Sequence, residues 1–127
     1  MTKIVIDTCT YSDALRGLPY AVEALNGATQ VIITRIVVAE LLAGFQRGNQ
    51  SQKNTKQLHE FLARPSVLLV SITLQTSEFF AHILNLLHKA GQPIPTNDIW
   101  IAACALEHGA RVISNDKHFK KIPGLIV

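Results

Sequence analysis

The chain has 127 residues, of which 48% are apolar and 17% are charged. This composition excludes an intrinsically disordered protein, which is poorer in apolar residues and richer in charge. The longest apolar run has 8 residues, 99–106, whereas a bilayer-spanning helix needs about 20. The N-terminus lacks the pattern of a signal peptide. We therefore expect a single domain over residues 1–127, located in the cytoplasm and without a membrane segment.

The charge of the chain is mildly basic, with 12 Lys and Arg against 9 Asp and Glu. The basic residues are scattered except at Lys117, Lys120 and Lys121, so charge alone does not predict a nucleic-acid-binding surface. The two cysteines, Cys9 and Cys104, are too few for a disulfide scaffold and lack metal-ligand spacing, which agrees with a reducing compartment.

The first half of the chain alternates between strand-like and helix-like patterns. Short β-branched runs predict strands, and Asp7 and Thr34 are N-cap residues that begin helices. Pro65 ends the last of these helices. The predicted elements are a strand over 3–6, a helix after Asp7, a strand over 31–33, a helix over 35–45, an exposed connection over 47–55 and an amphipathic helix around 58–62.

The second half continues the alternation. Gly91 and Gly109 mark the ends of two helices, and Thr96 and Asn97 are predicted to cap the second of them. The predicted elements are a strand over 67–70, helices over 73–90 and 98–108, a strand over 111–113 and a fifth strand over 125–127.

Continuous apolar strands that alternate with helices are typical of parallel sheets covered on both faces. The sequence therefore predicts an α/β fold, a three-layer α/β/α sandwich around a central, mostly parallel sheet of about five strands.

Four of the nine acidic residues occupy positions that point to a shared site. In open α/β sheets, ligands bind beyond the carboxyl ends of the strands. Asp7 ends the first strand and Asp116 follows the fourth. Glu40 lies inside one apolar helix and Asp98 begins another, so we expect both in apolar surroundings.

Each acid also has a purely structural interpretation. Asp7 or Asp98 can cap a helix, Asp116 can serve a turn, and Glu40 can lie on a surface stripe or pair with Arg47. One hypothesis covers all four, namely carboxylates that converge on Mg²⁺ or Mn²⁺. Such a site lowers the pKa of a bound water and predicts hydrolysis of a nucleic-acid phosphodiester.

The order and spacing of these segments resemble a known family. The chain resembles the PIN-domain ribonucleases, and specifically the VapC toxins of type II toxin–antitoxin pairs. The resemblance covers essentially the whole chain. The segments that carry it are 4–8 (IVIDT), 38–44 (VAELLAG), 97–103 (NDIWIAA), 112–119 (VISNDKHF) and 122–125 (IPGL).

The resemblance implies a homodimeric, Mg²⁺- or Mn²⁺-dependent ribonuclease with a cognate antitoxin. The acidic positions of the family carry over to four residues, Asp7, Glu40, Asp98 and Asp116. We assign Asp7, Asp98 and Asp116 to the principal metal, and Glu40 as a further ligand or as the base that orients the attacking water. Ser114 matches a Thr or Ser position that helps to orient the site, and Thr8 has a supporting role.

Other residues are candidates for contacts outside the carboxylates. Contacts to RNA phosphates are predicted for five basic residues, with solvated surface charge as the alternative: Arg35, Arg47, Lys117, Lys120 and Lys121. His118 matches a family position often occupied by Asp or His, but a partly buried residue under Phe119 is favoured over a catalytic one. Trp100 is predicted to be a core residue rather than a base-stacking platform. The helix with Leu58, Phe61 and Leu62, or the helix over 73–90, is expected to contribute to the dimer.

Two other function classes compete with the nuclease. A receiver-type signalling domain has a similar length and an acidic pocket, but it needs an acidic pair after the first strand and a Lys-Pro pair, neither of which the chain contains. A binding module that keeps the fold but not catalysis is disfavoured by the presence of all four acids. A metal-dependent cleavage assay discriminates between these classes.

Overall fold

The computed structural model describes residues 2–127. Four strands and six α-helices alternate along this part of the chain. In chain order the elements are β1 (Lys3–Ile6), α1 (Thr8–Leu15), α2 (Pro19–Gly27), β2 (Gln30–Thr34), α3 (Arg35–Arg47), α4 (Ser51–Leu62), β3 (Val67–Val70), α5 (Leu74–Ala90), α6 (Thr96–His108) and β4 (Arg111–Ile113), followed by a short 3₁₀ helix, Lys117–Lys121.

The four strands form one parallel sheet in the order β3-β2-β1-β4. In the middle of the sheet, Val5 of β1 lies opposite Ile32 of β2 on one side and Val112 of β4 on the other. All three side chains are fully buried, which is why these strands read as continuous apolar runs. The predicted α/β fold with a parallel sheet is thus confirmed. None of the helices within residues 2–127 combines the length and apolarity needed to cross a membrane.

The predicted fifth strand is wrong. Residues 125–127 have no strand conformation, and the bond of 2.9 Å from the Val112 amide to the Ile126 carbonyl is an isolated contact. Gly124, which has a φ of 80°, turns the backbone just before this segment. One isolated bond does not make a repeating ladder, so the sheet has four strands rather than five.

Two helical segments differ from the sequence-based expectation. Helix α4 begins at Ser51, so most of the predicted connection over 47–55 is helical. Helix α2 was not predicted, although Pro19 at its first turn is a common starting residue for a helix. The first residues of α4 are all polar and α2 has weak apolar periodicity, which is why neither segment was predicted as a helix. Each helix is anchored by side chains that reach the core, Leu58 in α4 and Ala21 in α2.

Helix α6 is buried on most of its surface, as its apolar sequence predicts. It packs against α5 and β1, and its buried residues are Ile99 and Ile101 to Ala105. Trp100 was predicted to be a core residue, but it is half-buried and lies beside the core, where it stacks on Phe80 of α5 with ring centroids 3.9 Å apart. This packing fixes the first turn of α6, which carries Asp98, relative to the centre of the sheet.

Candidate active site

Asp7 lies at the carboxyl end of β1 and is 6% exposed. Its Oδ1 accepts a hydrogen bond of 2.9 Å from the Thr10 amide, which makes Asp7 the N-cap of α1. Its Oδ2 accepts a hydrogen bond from the Ser114 hydroxyl. The capping interpretation of Asp7 is therefore correct for one carboxylate oxygen, while the other oxygen joins β1 to the segment after β4.

Ser114 connects two of the predicted acids. Its hydroxyl donates to Asp7 and accepts a bond of 2.9 Å from the Asp116 amide. Asp116 in turn accepts a bond of 2.9 Å from the His118 amide and caps the short 3₁₀ helix. The turn interpretation of Asp116 therefore holds for its local hydrogen bonds. Its carboxylate also faces the neighbouring charges, because the carboxyl ends of parallel strands share one edge of the sheet.

Asp98 reaches the same place from the first turn of α6. The cap of α6 is Pro95, without a side-chain bond, so the predicted capping by Thr96 and Asn97 is wrong. The fixed φ of Pro95 starts the helix at Thr96, two residues earlier than predicted, and places these two residues within it. The pKa of Asp98 is raised by burial, against the opposing hydrogen bond from His118, and the charges of Asp116 and Asp7 raise it further.

His118 lies among the site carboxylates, although the sequence favoured a packing role for this residue over a catalytic one. Its Nδ1 lies 3.0 Å from Asp98 Oδ2 and 2.9 Å from Asp116 Oδ1. The neighbouring Phe119 is fully buried, but the His118 side chain is 37% exposed and faces the carboxylates. The resemblance pointed to His118 as an alternative, but the 20 positions that separate it from Asp98 give no recognisable spacing, so the contact between the two side chains was not predicted.

Glu40 occupies a different environment from the one predicted. It is exposed on α3, because this helix reaches the core through Val37 and Leu41. Its Oε1 accepts a hydrogen bond of 3.0 Å from the Thr8 hydroxyl, and no ion pair with Arg47 occurs within residues 2–127. The carboxylates of Asp7, Asp98 and Asp116 are called the carboxylate group below. Since Thr8 directly follows Asp7, the bond from Thr8 brings Glu40 to the rim of this group rather than into an apolar interior.

The thiol of Cys9 is affected by the same group of charges. Burial raises the pKa of this thiol, and the carboxylates of Asp7, Asp13, Asp116 and Asp98 raise it further in that order. Cys9 therefore remains a neutral thiol at neutral pH, which excludes a thiolate nucleophile at this position. That four carboxylates raise the pKa of one thiol also indicates that negative charge is concentrated at the N-terminal end of α1.

Comparison with known proteins agrees with this geometry. The PIN-domain family model matches residues 4–125. The chain belongs to the PIN-domain family. Ribonuclease VapC1 of Rickettsia felis is 38% identical over 127 residues, a match that covers 98% of this chain and 93% of that protein.

Solved structures show the same architecture. VapBC2 from Rickettsia felis bound to a DNA fragment from their promoter superposes with a TM-score of 0.85 at 23% identity, covering 98% of this chain and 96% of that one. A toxin-antitoxin complex from Klebsiella pneumoniae gives a TM-score of 0.71 at 22% identity, with the same two coverages. At these identities the likeness concerns the fold.

The donor set of this PIN domain fits a divalent cation. Ligand atoms of Asp98, Asp116 and His118 all lie within 4.8 Å of one another. The raised pKa of Asp98 indicates that its charge is poorly compensated, and a cation relieves such repulsion. Carboxylate oxygens are the ligands that Mg²⁺ prefers, and the imidazole of His118 is a donor that Mn²⁺ also accepts.

The basic residues predicted to contact RNA surround the site unevenly. Arg35 lies at the start of α3, where its Nε donates to Ser71 Oγ at 2.8 Å, and so occupies the site edge of the sheet. Arg47, at the other end of α3, is about 18 Å away along the helix axis. The three lysines are exposed on the 3₁₀ helix that Asp116 begins: Lys117, Lys120 and Lys121.

Proposed function

We propose that this PIN domain is a Mg²⁺- or Mn²⁺-dependent endoribonuclease that acts as the toxin of a toxin–antitoxin pair. The observation that carries the proposal is the convergence of Asp7, Asp98 and Asp116 at the carboxyl edge of the sheet. The ribonuclease name of the relative from Rickettsia felis and the toxin–antitoxin complexes among the structural neighbours support the same activity. Membership of the PIN-domain family argues against the receiver-type alternative.

Asp98, Asp116 and His118 have the ligand atoms that lie close together and would hold the cation. Asp7, which adjoins this group through Ser114, would complete the ligand set. A bound Mg²⁺ or Mn²⁺ supplies charge neutralisation at the phosphate and a lowered pKa of water. The Thr10 amide and Ser114 hold the Asp7 carboxylate in a fixed orientation, so this ligand needs little reorganisation.

Glu40 is suited to accept the proton of the attacking water. Its carboxylate is exposed and keeps one oxygen free while the other is bonded to Thr8. A general base needs a fixed position within hydrogen-bond reach of the water, and the Thr8 hydroxyl provides that position. Thr8 therefore supports catalysis through Glu40 rather than through the metal.

Contacts to the RNA backbone are proposed for the basic residues at the site edge. Arg35, Lys117 and Lys120 flank the carboxylates on two sides and would supply affinity without sequence choice. Lys121 extends the same surface. Arg47 requires an RNA strand that follows α3, because the helix separates it from the site.

The proposed partners are a cognate antitoxin and a second copy of the chain, in the cytoplasm. A cationic segment of the antitoxin would enter the carboxylate group and block metal or RNA. For the dimer, α5 offers apolar residues such as Leu74, which is 79% exposed, and Leu84, which is 44% exposed. Leu58 and Phe61 of α4 are buried within the chain itself, so α5 is the better-supported surface.

The test is cleavage of mixed cellular RNAs by the purified chain with Mg²⁺, with Mn²⁺ and with EDTA. We expect internal cuts only with metal, and growth arrest on induction that co-expression of the neighbouring small gene product relieves. RNA binding without cleavage in either metal would support the catalytically inactive binding module instead. Cleavage without any effect on growth would keep the ribonuclease and contradict the toxin.

Ser114→Ala is expected to lower the cleavage rate by about 10- to 100-fold. The variant loses the hydroxyl that bonds both the Asp7 carboxylate and the Asp116 amide, so two acids lose their orientation together. Ser114→Thr keeps the hydroxyl and should retain most of the rate. Equal rates for the Ala and Thr variants in a cleavage time course would show that this hydroxyl does not orient the site.

A further inference from the structure

A cavity of about 500 Å³ adjoins the carboxylate group on the side of α1. Three of its lining residues, Thr8, Ser12 and Arg16, follow one another at intervals of four along α1 and its C-cap, so they form one line on the helix surface. Asn115 and Asp116 line the opposite wall. The cavity thus leads from the proposed metal site to Arg16, about 12 Å further along the helix.

Arg16 is held in place by a buried carboxylate. Its Nη2 donates to Asp13 Oδ1, and the Tyr20 hydroxyl donates to Asp13 Oδ2. Asp13 is 7% exposed, whereas the Arg16 side chain is 69% exposed. The Tyr20 hydroxyl, and after it Arg16, lowers the pKa of Asp13, so the carboxylate is ionised and both bonds are charge-assisted.

This arrangement leaves most of the guanidinium available. A guanidinium has five N–H donors in a fixed plane, and the bond to Asp13 comes from one of its terminal nitrogens. Its planar fork matches the oxygens of a phosphate, and a side chain that is already immobilised loses less entropy when it binds. The other lining groups, the Ser12 hydroxyl and the Asn115 amide, also form hydrogen bonds, so the cavity is suited to a polar strand.

We infer that Arg16 is a substrate-binding residue that contacts a backbone phosphate of the RNA away from the scissile bond, and that Asp13 and Tyr20 are its positioning residues. The inference rests on the proposed ribonuclease function. Because Arg16 lies about 12 Å along α1 from Thr8, the two ends of the cavity serve different phosphates of the same strand. The strand would enter along α1 and pass over the carboxylates.

The first test compares Arg16→Gln with Arg111→Gln. Arg111 is an exposed arginine at the start of β4, the opposite edge of the sheet, and its variant makes the same charge change. With a fluorescein-labelled single-stranded RNA of mixed sequence, Arg16→Gln should raise KM about tenfold and leave kcat within about twofold. The slope of log affinity against log salt concentration should fall by about one, because one fewer counterion is released on binding. Arg111→Gln should change KM by less than twofold, and Arg16→Lys should restore part of the loss.

The second test examines the positioning residues. Tyr20→Phe should raise KM about threefold in the wild-type background and have no further effect in the Arg16→Gln background, because both changes act on the same contact. An effect of Tyr20→Phe that persists without Arg16 would show that Tyr20 serves only the fold.

Measurements of RNA binding, made separately from cleavage, distinguish a failure of this inference from a failure of the proposed function. If the wild-type chain cleaves no RNA, the ribonuclease proposal fails, and fluorescence anisotropy on the same RNA still decides the role of Arg16. Equal RNA affinity of the wild-type chain and Arg16→Gln, or no RNA binding by either, overturns the inference. Weakened binding of the antitoxin with unchanged binding of RNA would assign the cavity to the antitoxin and overturn it as well.

Discussion

Asp98→Asn is expected to lower RNA cleavage by about 10³-fold while the fold stays intact. The amide keeps the shape of the side chain and can still accept the hydrogen bond from His118. Helix α6 loses no cap, because its cap is Pro95. The substitution removes one negative charge and one anionic ligand from a group of three carboxylates, so the metal site is weakened without a structural cost.

The measurement combines circular dichroism with a cleavage time course at several Mg²⁺ concentrations. Glu60→Gln on α4 is a matched control, since Glu60 is an exposed acid that makes no contact with the carboxylate group. We expect the control to cleave at the wild-type rate. Full activity of Asp98→Asn would contradict the metal role and leave Asp98 as a residue of the first helical turn only.

The sequence was sufficient for the parallel sheet because buried strands carry a local signal. The run over 3–6 ends in three buried, β-branched residues, and β1 has the predicted bounds. Helix α2 carried a weaker signal, since only Ala21 of its nine residues is fully buried. The segment 125–127 has the composition of a strand, but the turn at Gly124 limits its pairing.

The part of the site that lies at the ends of strands could be predicted from the sequence. Asp7 and Asp116 meet because β1 and β4 are parallel neighbours, and a parallel sheet was the sequence-based expectation. The exposure of Glu40 depends on the angle at which α3 packs, which its composition does not reveal. His118 and Asp98 lie on two elements, the 3₁₀ helix and α6, that are not consecutive in the chain. Their approach depends on how the backbone between these elements folds, so only the three-dimensional structure could show it.

The acids of the site differ in their effect on the metal-free fold. Burial and the charges of Asp116 and Asp7 outweigh the bond from His118 and raise the pKa of Asp98 in the folded chain. A carboxyl with a raised folded-state pKa destabilises the fold once the pH exceeds its unfolded value, and this effect is fully present above the raised value. The Asp7 side chain supports the fold directly, because it accepts hydrogen bonds from the Thr10 amide and from the Ser114 hydroxyl.

Mg²⁺ or Mn²⁺ is therefore expected to raise the melting temperature of the EDTA-treated chain. At 100 times the Kd the stabilisation is about 2.7 kcal/mol, equivalent to about 10 °C for a domain of this size. In the metal-free state Asp98→Asn should melt a few degrees above wild type and gain less from metal, whereas Asp7→Ala should melt below it, because it removes the Asp7 cap, which contributes about 1 kcal/mol.

Differential scanning fluorimetry at neutral pH measures both effects, with Ca²⁺ and Na⁺ at matched ionic strength as controls for screening. A melting temperature that ignores Mg²⁺ and Mn²⁺, together with a loss of stability in both variants, would mean that Asp7 and Asp98 are structural residues. The opposite signs expected for the two variants make the test specific. Repulsion predicts a gain on neutralising Asp98 only because its charge is poorly paired. Truncation of Asp7 to Ala instead removes the two hydrogen bonds that begin α1 and hold Ser114.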